Sequence, residues 1–325
     1  MNKILYTILI SVFSLTIISC SKKEESKSSS SSSGTTTTTT DTTAPSVFVS
    51  VSNSGNIVRS TDNGSSFDNV TSPTTNVLYA VTFGNNTFMS VGSAGNILRS
   101  TNNGSSFDNV TSPTGQHLRG VTFGKEIFVG VGYSGNIVIS TDNGSSFDNV
   151  TSPTGQHLRG VTFGNNTFVG VGNSGNIVRS TNNGSSWDNT TSPTANNLWG
   201  VTFGNNTFVG VGASGNIVRS TDNGSSFDNV TSSLSVTIRS VFFGNNTFVA
   251  VGMSGNIVRS TDNGSSWDNA TSPTANHLKG VTFGNNTFVA VGDGGTIVKS
   301  TNNGSSFDNV TSPTANHLYG VTFSE

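Results

Sequence analysis

The stretch Gly255-Asn256-Ile257-Val258-Arg259-Ser260-Thr261-Asp262-Asn263-Gly264-Ser265-Ser266-Trp267 decides how this chain folds. Close copies begin at Gly55, Gly95, Gly135, Gly175, Gly215 and Gly295, so seven copies stand forty residues apart with no slippage. A fixed period of that length marks a repeat architecture: one small unit cannot cover its own faces and stacks on its neighbours. The period therefore has to be read before any local segment.

Working outward, the last full unit holds four short runs, Leu278 to Phe283, Thr287 to Val291, Thr296 to Thr301 and Ser306 to Thr311. Each alternates in period two or favours β-branched and aromatic residues, as strands do. They are bounded by Gly284-Asn285-Asn286, Gly292-Asp293-Gly294-Gly295, Asn302-Asn303-Gly304 and Ser312-Pro313-Thr314. Asn-Gly between strands is a hairpin signal, because both residues tolerate positive φ. No window shows a helical period. Each unit reads as a four-stranded antiparallel meander, with strands A to D.

Four strands per forty residues is the arithmetic of a β-propeller blade. With strand A innermost, the repeat region opens on strands B, C and D at Phe48–Val51, Asn56–Thr61 and Ser66–Thr71, and closes on a lone strand A, Leu318–Phe323. The two partial units sum to one blade. The expected fold is all-β: a seven-bladed β-propeller of four-stranded antiparallel blades, closed by N-terminal strands B–D pairing with the C-terminal strand A. Ala80, Gly120, Gly160, Gly200, Ser240, Gly280 and Gly320 share one position of strand A, where strands crowd the axis and small residues let backbones approach. Phe83, Phe123 and their equivalents, with Phe48 and Phe88, are expected to fill the space between blades.

Only 10% of residues are charged and the net charge is −2, which leaves no basic excess for nucleic-acid binding. Ser, Thr, Asn and Gly dominate, but the 21 Phe recur in register with Val, and this argues for a folded core rather than disorder. Before the repeats, Met1-Asn2-Lys3 is a short positive start, Ile4 to Ile18 is apolar, and Ile17-Ile18-Ser19-Cys20 follows. The apolar run is short for a membrane span. The segment resembles the lipobox of bacterial lipoproteins, which implies a signal peptide over residues 1–19 and a lipidated Cys20. Residues 20–45, rich in Ser and Thr, read as a disordered tether reaching roughly 25–30 Å. The propeller is then 46–325, anchored to the bacterial cell envelope through the lipid on Cys20 and expected to be a monomer.

Ser60-Thr61-Asp62-Asn63-Gly64-Ser65-Ser66-Phe67 and its six counterparts resemble the Asp-box, or BNR repeat, of a propeller superfamily that includes the sialidases. The longer string Val251-Gly252-Met253-Ser254-Gly255-Asn256-Ile257, running into Arg259-Ser260-Thr261-Asp262, is similar to repeats of the photosystem II assembly-factor family. That resemblance implies a seven-bladed propeller acting as a binding protein. The Asp-box carboxylate is expected to be local, accepting backbone N–H groups across the C–D turn while the aromatic anchors it. Asn102, Asn182 and Asn302 replace the aspartate, which suits hydrogen bonding and not catalysis or metal binding. Arg59 and its equivalents face Asp68 and its equivalents across strands C and D, which predicts a cross-strand ion pair in most blades.

The copies differ mostly at one end of the meander. The turns after strands A and C barely vary, whereas the opposite end changes from copy to copy. After strand B come Asn53, Ser93, Tyr133, Asn173, Ala213, Met253 and Asp293; entering strand A come Val77, His117, His157, Asn197, Thr237, His277 and His317. Two residues on come Tyr79, Arg119, Arg159, Trp199, Arg239, Lys279 and Tyr319, which should ring the central mouth. Aromatic and arginine side chains are enriched at binding hot spots. Tyr79, Arg119, Arg159, Trp199, Arg239, Lys279, Tyr319, His117, His157, His277, His317, Tyr133 and Met253 are therefore the candidate binding residues. The histidines lie on separate blades with no carboxylate or thiol to complete a metal site, so no metal or cofactor is expected.

Sialidase chemistry needs an arginine cluster, a tyrosine nucleophile with a carboxylate partner and an acid aspartate. Beyond the tether, however, the only glutamates are Glu126 and Glu325, and nothing supplies paired carboxylates at the mouth for glycoside cleavage. The sialidase Arg-Ile-Pro signature is also absent, and no enzymatic activity is expected. Two classes of function stay open: a surface-displayed protein binding a protein or acidic glycan, and a periplasmic scaffold assisting assembly of an envelope complex.

Overall fold

A computed structural model describes residues 46–324. The leader, Cys20 and the tether, residues 1–45, lie outside the described residues, as does Glu325. The described strands form seven four-stranded antiparallel sheets. Blade 1 is made of Leu318–Phe323 as strand A, then Phe48–Ser52, Ile57–Ser60 and Asp68–Val70 as B, C and D, so the ring closes as the sequence predicts. Blades 2 to 7 begin at the A strands Leu78–Gly84, Leu118–Gly124, Leu158–Gly164, Leu198–Gly204, Ile238–Gly244 and Leu278–Gly284. At the closure Ser324 and Val47 extend the pairing: Ser324 N–H donates to Val47 O at 2.9 Å, and Val47 N–H to Ser324 Oγ at 2.8 Å.

Strands C and D are shorter than expected. In blade 1, C covers Ile57–Ser60 and D covers Asp68–Val70. The reason lies between them, where Asp62 gathers the chain into a turn. Its Oδ1 accepts the N–H of Ser65 at 3.1 Å and of Ser66 at 2.9 Å, and its Oδ2 accepts the Ser66 hydroxyl at 2.6 Å. Those amides are then lost to the ladder, and Phe67 turns inward to 5% exposure. Asn102 does the same work with its amide: Oδ1 accepts Ser106 N–H at 3.0 Å and Nδ2 donates to Ser106 Oγ at 2.7 Å.

There is no single central core. The buried apolar side chains form seven clusters, each joining strands B and C of one blade to the next blade. Met89, Val91 and Ile97 of blade 2, for instance, meet Leu118, Val121, Phe128, Val138 and Phe147 of blade 3. Each blade buries one face against each neighbour, which is what its near-continuous apolar strand B requires. Near the axis, a Cβ on Gly120 would lie 3.0 Å from the Arg159 carbonyl, which explains the small residues of strand A.

The expected cross-strand ion pairs do not form. Arg59 and Asp68 are register partners, yet among the described residues the ion pairs involve neither. Arg59 Nε instead reaches the next blade and donates to Asn103 O at 2.8 Å. Arg99, Arg179 and Arg219 repeat the contact on Asn143, Asn223 and Asn263. A half-buried carbonyl gains more from a donor than the exposed Asp68 carboxylate does, because water already serves the latter.

Candidate functional site

In all seven blades the A–B ladder slips by one residue near its start. Leu78 pairs with Gly92 and Ala80 with Val91, leaving Tyr79 as the extra residue of a β-bulge. Arg119, Arg159, Trp199, Arg239, Lys279 and Tyr319 occupy the same bulge in their blades. A bulge re-aims the unpaired side chain out of the alternating pattern. Here it turns seven side chains to the axis while Leu78 and its equivalents stay fully buried. Those seven residues alone line a bowl of about 370 Å³, and a narrower space of about 170 Å³ continues below it among Gly120, Val121 and their counterparts.

Within the bowl the aromatic rings serve the cations. Arg159 and Arg239, from the blades on either side, stack on Trp199 with their guanidinium carbons 4.0 and 4.1 Å from the ring centroid. Arg119 lies 3.9 Å over Tyr79, and Lys279 Nζ 4.2 Å over Tyr319. Tyr79 and Tyr319 meet edge to face at 5.6 Å and close the ring. Such contacts are worth about 0.5–2 kcal/mol each, more as the pair is desolvated. They fix the cations in place rather than neutralise them.

The charge is unbalanced. Four cations face one carboxylate, Asp293, which pairs with Lys279. Among the described residues Arg119 and Arg239 donate no hydrogen bond and form no ion pair, while Arg159 Nε donates to Asn173 Oδ1 at 2.8 Å. Burial holds the Arg239 pKa below the ordinary guanidinium value, and the charge of Arg119 adds to this. Arg159 is lowered for the same two reasons in the same order. The Trp199 indole Nε1 is buried with no hydrogen-bond partner. Four half-buried cations held on aromatic rings make the bowl a region of positive potential.

The remaining candidates stand around the bowl, not in it. Tyr133 stacks on His157 at 4.2 Å and lies 5.5 and 5.8 Å from the guanidiniums of Arg119 and Arg159, so it backs them. Met253 is half-buried at the start of a short 3-10 turn, Met253–Gly255, and does not line the bowl. The histidines have a structural task that their sequence positions did not reveal. His117, His157, His277 and His317 each accept, on Nδ1, the N–H of Ala94, Ser134, Ser254 or Gly294 in the preceding blade, at 2.8–3.0 Å. Asn197 does the same with Oδ1 on Ser174 N–H at 2.8 Å. Nδ1 is thus the acceptor and Nε2 carries the ring proton. His317 Nδ1 also stands 3.0 Å from Asp293 Oδ1, the carboxylate that pairs with Lys279. Among the described residues no group of three or more His, Cys, Asp or Glu side chains could hold a metal ion.

No family model and no curated protein sequence matches this chain. Solved structures do resemble it. One is YCF48 from Cyanidioschyzon merolae, with a TM-score of 0.62 and 18% identity over 77% of this chain and 90% of that one. YCF48 bound to a D1 peptide gives a TM-score of 0.60 and 17% identity, covering 73% of this chain and 81% of that one. A chain of the nidogen/laminin complex gives 0.58 and 11%, covering 74% and 98%. At such identities the likeness is one of fold.

Proposed function

We propose that this chain is a non-catalytic binding protein whose axial mouth takes an acidic segment of a partner protein. The observation that carries this is the pair of guanidiniums, Arg119 and Arg239, held on aromatic rings with no anion of their own. Carboxylates on a partner would supply that charge. A glycan is the poorer fit, because sugars dock on open aromatic faces and Tyr79, Trp199 and Tyr319 already carry cations. Solved propellers of similar fold include one bound to a peptide and one in a protein complex, which supports a protein partner.

Calorimetric titration with an oligoglutamate peptide, beside an acidic glycan and a neutral peptide, tests the reading. Substituting Arg119, Arg159, Arg239 and Trp199 together should abolish peptide binding while the variant still unfolds in one cooperative thermal transition. Equal binding by the variant, or preference for the glycan, refutes it.

A second reading, a scaffold assisting assembly of an envelope complex, draws on the likeness to YCF48 propellers. Both readings place the domain in the bacterial cell envelope on a tether lipidated at Cys20. Palmitate labelling that persists in Cys20→Ser would remove the anchor from either. Protease treatment of intact cells separates the two, since a surface protein is shaved and a periplasmic scaffold is not.

A further inference from the structure

The C–D turn places an asparagine before a glycine seven times, at 63, 103, 143, 183, 223, 263 and 303, and every one of these asparagines has positive φ. In five copies the side chain is latched to the preceding blade. Asn63, Asn143, Asn223, Asn263 and Asn303 donate from Nδ2 to Thr287, Thr87, Thr167, Thr207 and Thr247 Oγ1 at 2.6–2.9 Å. The residue that would receive Asn183 is Ile127, the one isoleucine in that series. A second restraint is missing at the same place. The carbonyls of Asn143, Asn223 and Asn263 are clamped by Arg99, Arg179 and Arg219, but Ile139 stands where the arginine for Asn183 would be. Two polar latches have been exchanged for two isoleucines in one seam. Asn183 is accordingly exposed, whereas its six counterparts are half-buried.

We propose that Asn183 is a modification site, the position at which the folded protein deamidates through the Asn183-Gly184 bond. The Gly184 main-chain nitrogen gives its proton to solvent and attacks Asn183 Cγ. The new N–C bond closes a five-membered succinimide, the Cγ–Nδ2 bond breaks, and Nδ2 takes a proton back from solvent and leaves as ammonia. Water then adds to either succinimide carbonyl and opens the ring to aspartate or isoaspartate; nothing is oxidised or reduced. Gly184 N–H donates to Ser180 Oγ at 3.0 Å, and the other copies do likewise at 2.8–3.1 Å, so this contact does not distinguish the sites. The difference is that Cγ of Asn183 can rotate toward the nitrogen without breaking a threonine hydrogen bond. The product puts a negative charge, and for isoaspartate an extra main-chain methylene, into the seam between blades 3 and 4.

The test holds the full chain, folded, at mildly alkaline pH and follows tryptic peptides by mass spectrometry. Cleavage after Arg179 and Arg219 isolates Asn183-Gly184 on a peptide with no other Asn-Gly. Succinimide and its products should accumulate there roughly five- to tenfold faster than at the five latched copies, the ratio of one net hydrogen bond. Ile127→Thr installs the acceptor that the five latched copies have and should slow Asn183 to their rate. Denaturation in urea should bring all sites to one rate. Equal rates in the folded chain, or an Asn183 rate untouched by Ile127→Thr, would overturn the proposal.

Discussion

His317 and Gly294 are joined across a blade seam: the Gly294 N–H donates to His317 Nδ1 at 3.0 Å. The His317 carbonyl meanwhile accepts Asn53 N–H at 3.1 Å, so one residue ties blade 7 to the closing blade. His317→Asn should keep the bridge, as Asn197 does in its own seam. His317→Ala should cost about 1 kcal/mol, the net worth of one hydrogen bond. Urea unfolding of the two variants checks this, and equal losses would remove the bridge.

Among the described residues Asp293 is the carboxylate that pairs with a cation of the bowl, Lys279. Asp293→Asn frees that ammonium and raises the local positive charge. Binding of an acidic peptide should tighten by roughly 0.2–1 kcal/mol, the range for a half-exposed ion pair. The gain should shrink as salt is added. Calorimetry at two ionic strengths reads both effects.

The turn carboxylates set an acid limit. Asp142, Asp222 and Asp262 have pKa values lowered from 3.8 to about 2, first by the hydroxyl of Ser146, Ser226 or Ser266. At Asp62 burial is the largest influence and pushes upward, yet four hydrogen bonds from Ser60, Ser65 and Ser66 outweigh it and bring it to about 2. A depressed carboxylate pKa gives stability that is complete above the unfolded value and lost as pH falls through the folded one. The melting temperature should therefore drop between about pH 4 and pH 2. Replacing the four aspartates by asparagine, which positions 102, 182 and 302 already hold, should flatten that slope.

Two glycine substitutions should have opposite signs. A Cβ on Gly84 would lie 2.1 Å from the Phe123 ring of the next blade, so Gly84→Ala must push a packed aromatic aside. Overpacking of that kind costs about 1–3 kcal/mol. Nothing lies within 4 Å of a Cβ on Gly115, and Ala195 and Ala275 hold its place in other repeats. Gly115→Ala should stabilise by about 0.4–1 kcal/mol through the unfolded chain. Thermal melts of the two single variants decide it.

The ring, its blade count and its closure were legible because a forty-residue period, three unmatched strands at the start of the repeats and one at their end leave one arrangement. The mouth was legible for a related reason: Tyr79 and its six counterparts differ from copy to copy far more than the rest of strand A does. What could not be read is the bulge that aims them, since Leu78-Tyr79-Ala80 carries no Gly or Pro to mark it. The hydrogen bonds of the histidines could not be read because their partner is a backbone N–H of another blade, and an N–H has no sequence signature. Arg59 pointed to Asp68 by pairing register; the competing acceptor, Asn103 O, again belonged to the main chain. The departure of Ile127 and Ile139 was visible, but their shared target, the Asn183-Gly184 turn, emerges only when the seam is assembled.

The sheet of blade 1 draws its inner strand, Leu318–Phe323, from the far end of the chain. That strand is almost interchangeable with the six other A strands: Val-Thr-Phe follows the small axial residue in six of the seven copies. Strands B to D of blade 1 cannot tell by sequence whether the A strand that arrives is their own or another molecule's. Ring closure is thus a contest between an intramolecular strand, favoured by its effective concentration, and a crowd of near-identical donors. Dilution during refolding should favour closed single rings, and concentration should populate strand-exchanged chains, a hazard that the uniformity of the repeats itself creates.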